Sequence, residues 1–251
     1  MPRIYLSALS VTDNRIVLTG EKAHYLFSVL RCKEGDELTV FSDQGVCFRT
    51  EIIKADRKEV ISEVIAELPC DVESPLHITL VQALLKGEKM DWVIQKSTEL
   101  GVREIIPVIT ERSQVRETRK AARWRKIAEE ASRQSGRSVV PVVYEPAGVK
   151  EFLEGSEPVR HGDAKGFIFW EDGGASFNEA IKKLSVSPGP PFTGYPVYLF
   201  IGPEGGFTHE EVALAEEKGF QVVSLGRRIL RAETAAISAV TLVQFLLGDM
   251  G

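Results

Sequence analysis

Ile201-Gly202-Pro203-Glu204-Gly205-Gly206-Phe207 stands between an apolar run, Val197–Ile201, and a helical stretch, Thr208–Lys218. The run has the length and apolar character of a buried strand. Thr208 with Glu211 three residues on is a capping-box signature, and Gly219 lies past the helix end. A turn from a buried strand straight into a capped helix is an α/β unit, and ligands of such folds bind beyond the carboxyl ends of strands. Three glycines allow backbone amides to approach a ligand closely. The Gly-x-Gly-x-x-Gly spacing is absent, and no Lys-Ser or Lys-Thr follows as in a phosphate loop. Glu204 inside the loop would repel a phosphate and favours a neutral or cationic ligand. A tight turn holding no ligand accounts for the glycines equally well.

The next strand-to-helix passage is Ser224-Leu225-Gly226-Arg227-Arg228-Ile229-Leu230-Arg231-Ala232-Glu233-Thr234-Ala235. Two carboxyl-end loops would then lie side by side. Leu225, Ile229 and Leu230 suit an apolar slot, with free backbone groups reading the polar edge of a planar heterocycle. As a plain solvated turn, Arg227, Arg228 and Arg231 would face water and Thr234 would cap the helix. Thr234–Leu247 is apolar nearly all round, which predicts a buried helix.

Outward from these loops, strands alternate with helices from residue 76 on. Strands are expected at His77–Leu84, Glu104–Ile109, Val139–Val143, Gly166–Trp170 and Gln221–Leu225, and helices at Asp91–Leu100 and Ala121–Ser135. That order predicts a parallel sheet with helices on both faces. Proline-rich Ser185–Pro196 reads as a loop. Residues 1–74 read differently, as strands Ile4–Leu6, Ile16–Leu18, Glu37–Phe41, Val46–Ile53 and Val60–Leu68 with one helix, Lys22–Leu30. Ser42-Asp43-Gln44-Gly45 is a hairpin signal. Glu73-Ser74-Pro75 marks the boundary, giving domains of 1–74 and 75–251.

The 251 residues are 43% hydrophobic and 27% charged, enough for a core and too apolar for bulk disorder. Lys and Arg total 31 against 36 acidic residues, a net charge of −5 that excludes a histone-like binder. Yet residues 111–137 hold nine Lys and Arg against four Glu. Such a local excess suits phosphate-backbone contact, and it also suits a solvated helix face. Trp124 within it is a core or a stacking residue. No apolar run is long enough to span a membrane, and the first residues lack the apolar core of a secretory signal. Three cysteines, Cys32, Cys47 and Cys70, form no Cys-x-x-Cys pair, and His24, His77, His161 and His209 show no metal spacing. A cytoplasmic protein without metal is expected.

Several motifs together resemble the RsmE family of ribosomal RNA methyltransferases. They are Ile201–Phe207, Ser224–Ala235, Gln95-Lys96-Ser97-Thr98-Glu99-Leu100-Gly101, Glu111-Arg112-Ser113 and Glu130-Ala131-Ser132-Arg133-Gln134-Ser135-Gly136-Arg137. The opening segment His24-Tyr25-Leu26-Phe27-Ser28-Val29-Leu30-Arg31 with Gly35-Asp36 is similar to that family's first module. The likeness runs from about Arg3 to Leu247, with Phe169–Gly174 and Ser185–Pro196 matching least well.

The resemblance implies a small PUA-like β-barrel followed by a SPOUT α/β domain with a deep trefoil knot. It implies a homodimer using S-adenosyl-L-methionine to methylate N3 of a uridine in 16S rRNA of the small ribosomal subunit. The cofactor residues it implies are Leu199, Ile201, Gly202, Pro203, Glu204, Gly205, Gly206, Ser224, Leu225, Gly226, Ile229, Leu230, Arg231, Thr234 and Ala235. A cationic sulfonium agrees with the reading of Glu204. Arg112 and Arg231 are the candidates for stabilising charge on the uracil carbonyl oxygens. Arg3, Arg31, Arg123, Lys126, Gln134 and Arg137 are the candidates for holding RNA. Two rival readings are a non-catalytic RNA-binding module, which would not bind the cofactor, and a Rossmann-type nucleotide enzyme, which the missing glycine and lysine patterns disfavour.

Overall fold

The computed structural model describes residues 1–6, 9–42, 46–69, 72–155, 164–185 and 196–251. Two units emerge: Met1–Glu73 with Ser132–Val140, and Ser74–Ala131 with Pro141–Gly251. The chain thus crosses over at Glu73/Ser74, but a later segment returns to the first unit.

In the first unit, β1 (Arg3–Tyr5), β2 (Arg15–Thr19), β3 (Glu37–Phe41), β4 (Cys47–Ala55) and β5 (Glu59–Leu68) form one sheet in the order β1-β3-β4-β5-β2. β1 runs parallel to β3, and the remaining pairs are antiparallel. β2 alternates, turning Ile16 and Leu18 inward and leaving its other residues exposed. Register shifts between Arg49 and Thr50 and between Ile52 and Lys54 sharpen the twist of the β4–β5 pair. The result is a half-barrel around Ile4, Ile16, Leu18, Leu38, Val40, Ile52 and Val60. Its edges, β1 and β2, do not pair with each other among the described residues.

The helix expected at Lys22–Leu30 begins earlier, as α1 (Gly20–His24), and widens into a π turn over Tyr25–Val29. Ala23 and Leu26 are its buried residues, which fixes the inward side. Of the expected hairpin signal, Asp43, Gln44 and Gly45 lie outside the described residues; Ser42 N donates to Val46 O at 3.1 Å.

In the second unit the strands are β6 (Ile78–Ala83), β7 (Glu104–Ile109), β8 (Val142–Val143), β9 (Ala147–Gly148), β10 (Lys165–Phe169), β11 (Ala175–Ser176), β12 (Val197–Ile201) and β13 (Gln221–Ser224). Their order is β11-β13-β10-β12-β6-β7-β8, with β9 also paired to β7. Every one of these pairings is parallel. All six residues of β6 are buried, so that strand is covered on both faces. The helices are α2 (Lys89–Glu99), α3 (Ala121–Ser135, which passes into the first unit at Ser132), α4 (Val149–Glu154), α5 (Phe177–Ser185), α6 (His209–Glu217) and α7 (Ala232–Leu247). Leu153 of α4 and Val212 and Ala215 of α6 close over Phe200, Phe207 and Phe220. Buried Gln244 of α7 donates to Leu100 O at 2.7 Å and accepts from Ser74 Oγ at 2.7 Å, pinning α7 to the end of α2.

Several expectations need correction. The strand expected at Val139–Val143 is only Val142–Val143, because 139–140 belong to the first unit. α7 begins at Ala232 with Arg231 at its N-cap, so Thr234 sits inside the first turn and does not cap. α7 is also not buried all round: Leu242 and Phe245 are 39% and 58% exposed. α4, α5, β9 and β11 were not anticipated. Of the expected loop Ser185–Pro196, residues 186–195 lie outside the described residues, as do Cys70 and His161.

Candidate active site

β13, β10 and β12 are consecutive in the sheet, and their register aligns Phe169 with both Ile201 and Val223. The three strands therefore end level, and the loops after them leave from one edge. There they enclose a cavity of about 380 Å³ lined by Ile201, Gly202, Pro203, Glu204 and Gly206 from the first loop. Ile229, Leu230, Arg231, Ala232 and Ala235 supply the second wall, and Phe169, Glu171 and Lys89 the rest. A smaller hollow of about 90 Å³ shares Phe169, Glu171, Ile229, Leu230 and Ala235 with it. Ser224, Leu225 and Gly226 line that hollow. Of the cofactor candidates, Leu199 is fully buried within β12, while Gly205 and Thr234 line neither space.

The glycine loop is shaped from beneath. Phe207 is buried and packs on Phe200 with ring centroids 4.7 Å apart. A Cβ on Gly202 would stand 3.1 Å from the Phe207 ring, so a side chain there would have to push that buried ring back by a few tenths of an ångström. Gly206 has φ +69, the left-handed region that glycine adopts at no steric cost. A Cβ at Gly206 would also meet Glu171 Oε1 at 2.0 Å. Thr208 and Glu211 form the capping box expected from the sequence, Glu211 N donating to Thr208 Oγ1 and Thr208 N to Glu211 Oε2.

Residues 110–113 brace this loop. Glu111 N donates to the second oxygen of Glu211, Oε1, at 2.7 Å. Arg112 Nη1 donates to Gly205 O at 3.2 Å and Phe207 O at 3.3 Å. Arg112 does not line the cavity, so its contacts are those of a positioning residue. Arg231, the other catalytic candidate, is exposed and does line it.

The charge of Glu204 is already met. It accepts from Lys89 Nζ at 2.9 Å and from Lys86 N at 3.2 Å. Partial burial pushes its carboxyl up, but the hydrogen bond from Lys89, the backbone amides of Glu204 and Lys86 and the charge of Lys89 together outweigh this and hold it below the usual carboxylate range. Lys89 in turn is raised, chiefly by its bond to Glu204. Glu204 thus has a cationic partner within the protein itself, Lys89. The carboxylate facing the cavity without an ion pair or hydrogen bond among the described residues is Glu171. Lys89, Phe169 and Glu171 were missed in the sequence because no motif marks them; only the strand order brings the end of β10 beside the glycine loop.

The RNA candidates disperse. Arg137 is 3% exposed and its guanidinium grips Glu73 at 2.8 Å, which removes it from any surface. Arg3 Nη2 donates to the carbonyls of Gly136 and Arg137 at 2.7 and 3.1 Å, and its guanidinium lies over the Phe41 ring. These ties give Arg3 a structural role in the first unit. Arg31 is exposed, with φ +56, and Gln134 is exposed on α3. Arg123 and Lys126 line an open groove of about 610 Å³ with Asp91, Trp92 and Gln95, where Arg123 pairs with Asp91 at 2.8 Å. Trp124 is core, its Nε1 donating to Asp91 at 3.0 Å; the exposed ring, at 43%, is that of Trp92.

A family model described as an RNA methyltransferase domain matches residues 72–244, and one described as an RNA methyltransferase PUA domain matches residues 18–65. The ribosomal RNA small subunit methyltransferase E of Buchnera aphidicola subsp. Acyrthosiphon pisum is 33% identical, over 99% of this chain and 95% of its own. That of Bacillus subtilis is 32% identical, over 91% and 89%. The crystal structure of a ribosomal RNA small subunit methyltransferase E from Neisseria gonorrhoeae bound to S-adenosyl methionine superposes with a TM-score of 0.86, at 35% identity and with all of both chains covered.

Proposed function

The chain belongs to the ribosomal RNA small subunit methyltransferase E family, and from that premise we propose that it methylates N3 of a specific uridine in 16S rRNA of the small ribosomal subunit, using S-adenosyl-L-methionine. The observation that carries this reading is the cavity at the level ends of β10, β12 and β13. Its volume of about 380 Å³ falls within the ~300–1,000 Å³ of small-ligand pockets. Its residues fit the cofactor: Gly202 and Gly206 leave backbone bare, and Ile201, Ile229, Leu230 and Ala235 give apolar walls. Lys89, Glu204 and Arg231 are among its charged residues, a mixed set suited to a sulfonium and an amino-acid tail rather than a polyphosphate.

When bound, S-adenosyl-L-methionine supplies a methyl group made electrophilic by its sulfonium sulfur. The protein's part is positioning, because direct displacement needs an in-line nucleophile. Residues 201–206 and 224–231 would hold the cofactor. Arg112 fixes the glycine loop through the Gly205 and Phe207 carbonyls. Arg231 presents a cation where negative charge gathers on the uracil carbonyl oxygens.

The domains of this reading are a PUA-like RNA-binding domain over 1–74, which the half-barrel supports, and a SPOUT domain with a deep trefoil knot over 75–251, for which the parallel sheet supports the α/β architecture. A homodimer is supported by the exposed apolar face of α7, where Leu242 lines a hollow with Leu225, Leu230 and Ile237. A ribosomal substrate is compatible with a cytoplasmic protein. Mass spectrometry of 16S rRNA nucleosides after incubation with enzyme and cofactor tests the reading, and RNA left without 3-methyluridine would reject it.

A further inference from the structure

A uracil N3 carries a proton that must leave as the methyl group arrives. The cavity places four charged side chains around the reacting space: Lys89, Glu171, Glu204 and Arg231. Lys89 and Glu204 neutralise each other at 2.9 Å. What remains is one carboxylate, Glu171, and one guanidinium, Arg231, on the same cavity. Glu171 follows β10 by two residues and also lines the adjoining hollow, so it stands where the two spaces meet. Its carboxylate occupies the volume that a side chain at Gly206 would fill. The sequence thus keeps bare backbone where this carboxylate rests on the cofactor loop.

We propose that Glu171 is the general base of the methyl transfer, acting opposite Arg231; this rests on the uridine methyltransferase reading above. The N3–H bond breaks and its proton passes to a carboxylate oxygen of Glu171. The nitrogen's electron pair forms the N3–CH3 bond, while the sulfur–methyl bond breaks and leaves its pair on the now neutral thioether. Glu171 then returns the proton to water. A carboxylate is a weak base for a resting uracil, but N3 becomes strongly acidic as it bonds the methyl group. Arg231 helps by stabilising charge on the flanking carbonyl oxygens.

The test uses the full-length protein with 16S rRNA as substrate, comparing wild type with Glu171→Gln and Glu171→Ala. At saturating cofactor and neutral pH, Glu171→Gln should methylate about 10²- to 10⁴-fold more slowly. Its rate should climb tenfold per pH unit as the uracil anion forms in water, where the wild-type rate levels off. Added formate should restore much of the Glu171→Ala rate and nothing to Glu171→Gln, whose amide fills the space. Calorimetry should show unchanged affinity for S-adenosyl-L-methionine, and thermal melting an unchanged midpoint, in both variants. A Glu171→Gln enzyme with wild-type rate and pH profile overturns the proposal. So does a variant that binds the cofactor more weakly yet turns over normally at saturation, which would make Glu171 a partner of the cofactor's cation. A wild-type protein that leaves uridine N3 unmethylated overturns the parent reading and this one with it, a result separable from the variant comparison.

Discussion

Glu73 and Arg137 meet in a two-pronged ion pair inside the first unit, Arg137 Nη2 lying 2.8 Å from Glu73 Oε2, with side chains 8% and 4% exposed. Ser138 N and Val139 N add hydrogen bonds to Glu73 Oε1 at 2.9 and 3.0 Å. Burial works to raise this carboxyl, but Arg137 and the two amides prevail and hold it below its ordinary value.

Removing either partner leaves a buried charge uncompensated, so Glu73→Ala or Arg137→Ala should cost about 3–5 kcal/mol of stability in denaturant titration. A carboxyl with a depressed folded pKa contributes stability above its unfolded value of about 4.3, lost as pH falls through the lower folded value. The wild type should therefore weaken in acid more steeply than Glu73→Gln.

Gly206→Ala should weaken cofactor binding about 5- to 30-fold in calorimetry, because keeping the loop's shape then forces a left-handed alanine at roughly 1–2 kcal/mol. Gly205→Val should weaken cofactor binding for a different reason. The backbone at Gly205 is ordinary, but its Cβ would stand 3.1 Å from Arg112 Cβ and pry the loop off its brace. Both variants should retain wild-type circular dichroism.

Lys89→Met unlocks Glu204 from α2. Lys89 is 38% exposed, so the pair's worth is about 0–1 kcal/mol and cofactor affinity should fall no more than about fivefold. Glu204 should then titrate at a higher pH than in the wild type. The affinity gap between the two proteins should narrow as pH falls into the carboxylate range.

Arg123→Ala with Lys126→Ala should weaken RNA binding at low salt and flatten the dependence of log affinity on log salt. Each phosphate left without its cation should lower that slope by about 0.7 to 0.9. Lys126→Ala alone should account for most of the change, because Arg123 is partly spent on Asp91. A double variant with wild-type affinity and slope would make the groove a solvated helix face.

Phe245→Glu should yield a lower sedimentation mass than the wild type, with the fold intact. Phe245 is 58% exposed on α7, so a charge there has no core to disturb. A wild-type protein whose mass stays that of one chain at every concentration would exclude the homodimer.

Long elements were legible in the sequence where local pattern and tertiary packing agree. β7, α3 and β12 have the expected bounds, and the Thr208–Glu211 capping box forms as written. β9 and β11 are two residues long and exist only because a neighbouring strand offers its edge, so no period announces them. The glycine loop was legible because glycine has few reasons to cluster. Glu171 was not, because an acidic residue after a strand looks like any surface residue until strand order sets it beside Gly206. Arg137 misled for the opposite reason: a cation in a basic run suggests a phosphate contact, and its partner lies 64 residues away.

The return of Ser132–Val140 to the first unit ties the order of synthesis to the order of folding. A ribosome that has released the first 73 residues has made the half-barrel strands but not the segment carrying Arg137, so Glu73 waits unneutralised. The N-terminal unit is finished only after the second unit's first segment, Ser74–Ala131, has already emerged. A single cut after Glu73 therefore cannot excise it: the N-terminal piece keeps an orphaned acid, and the C-terminal piece keeps the arginine that belongs to it.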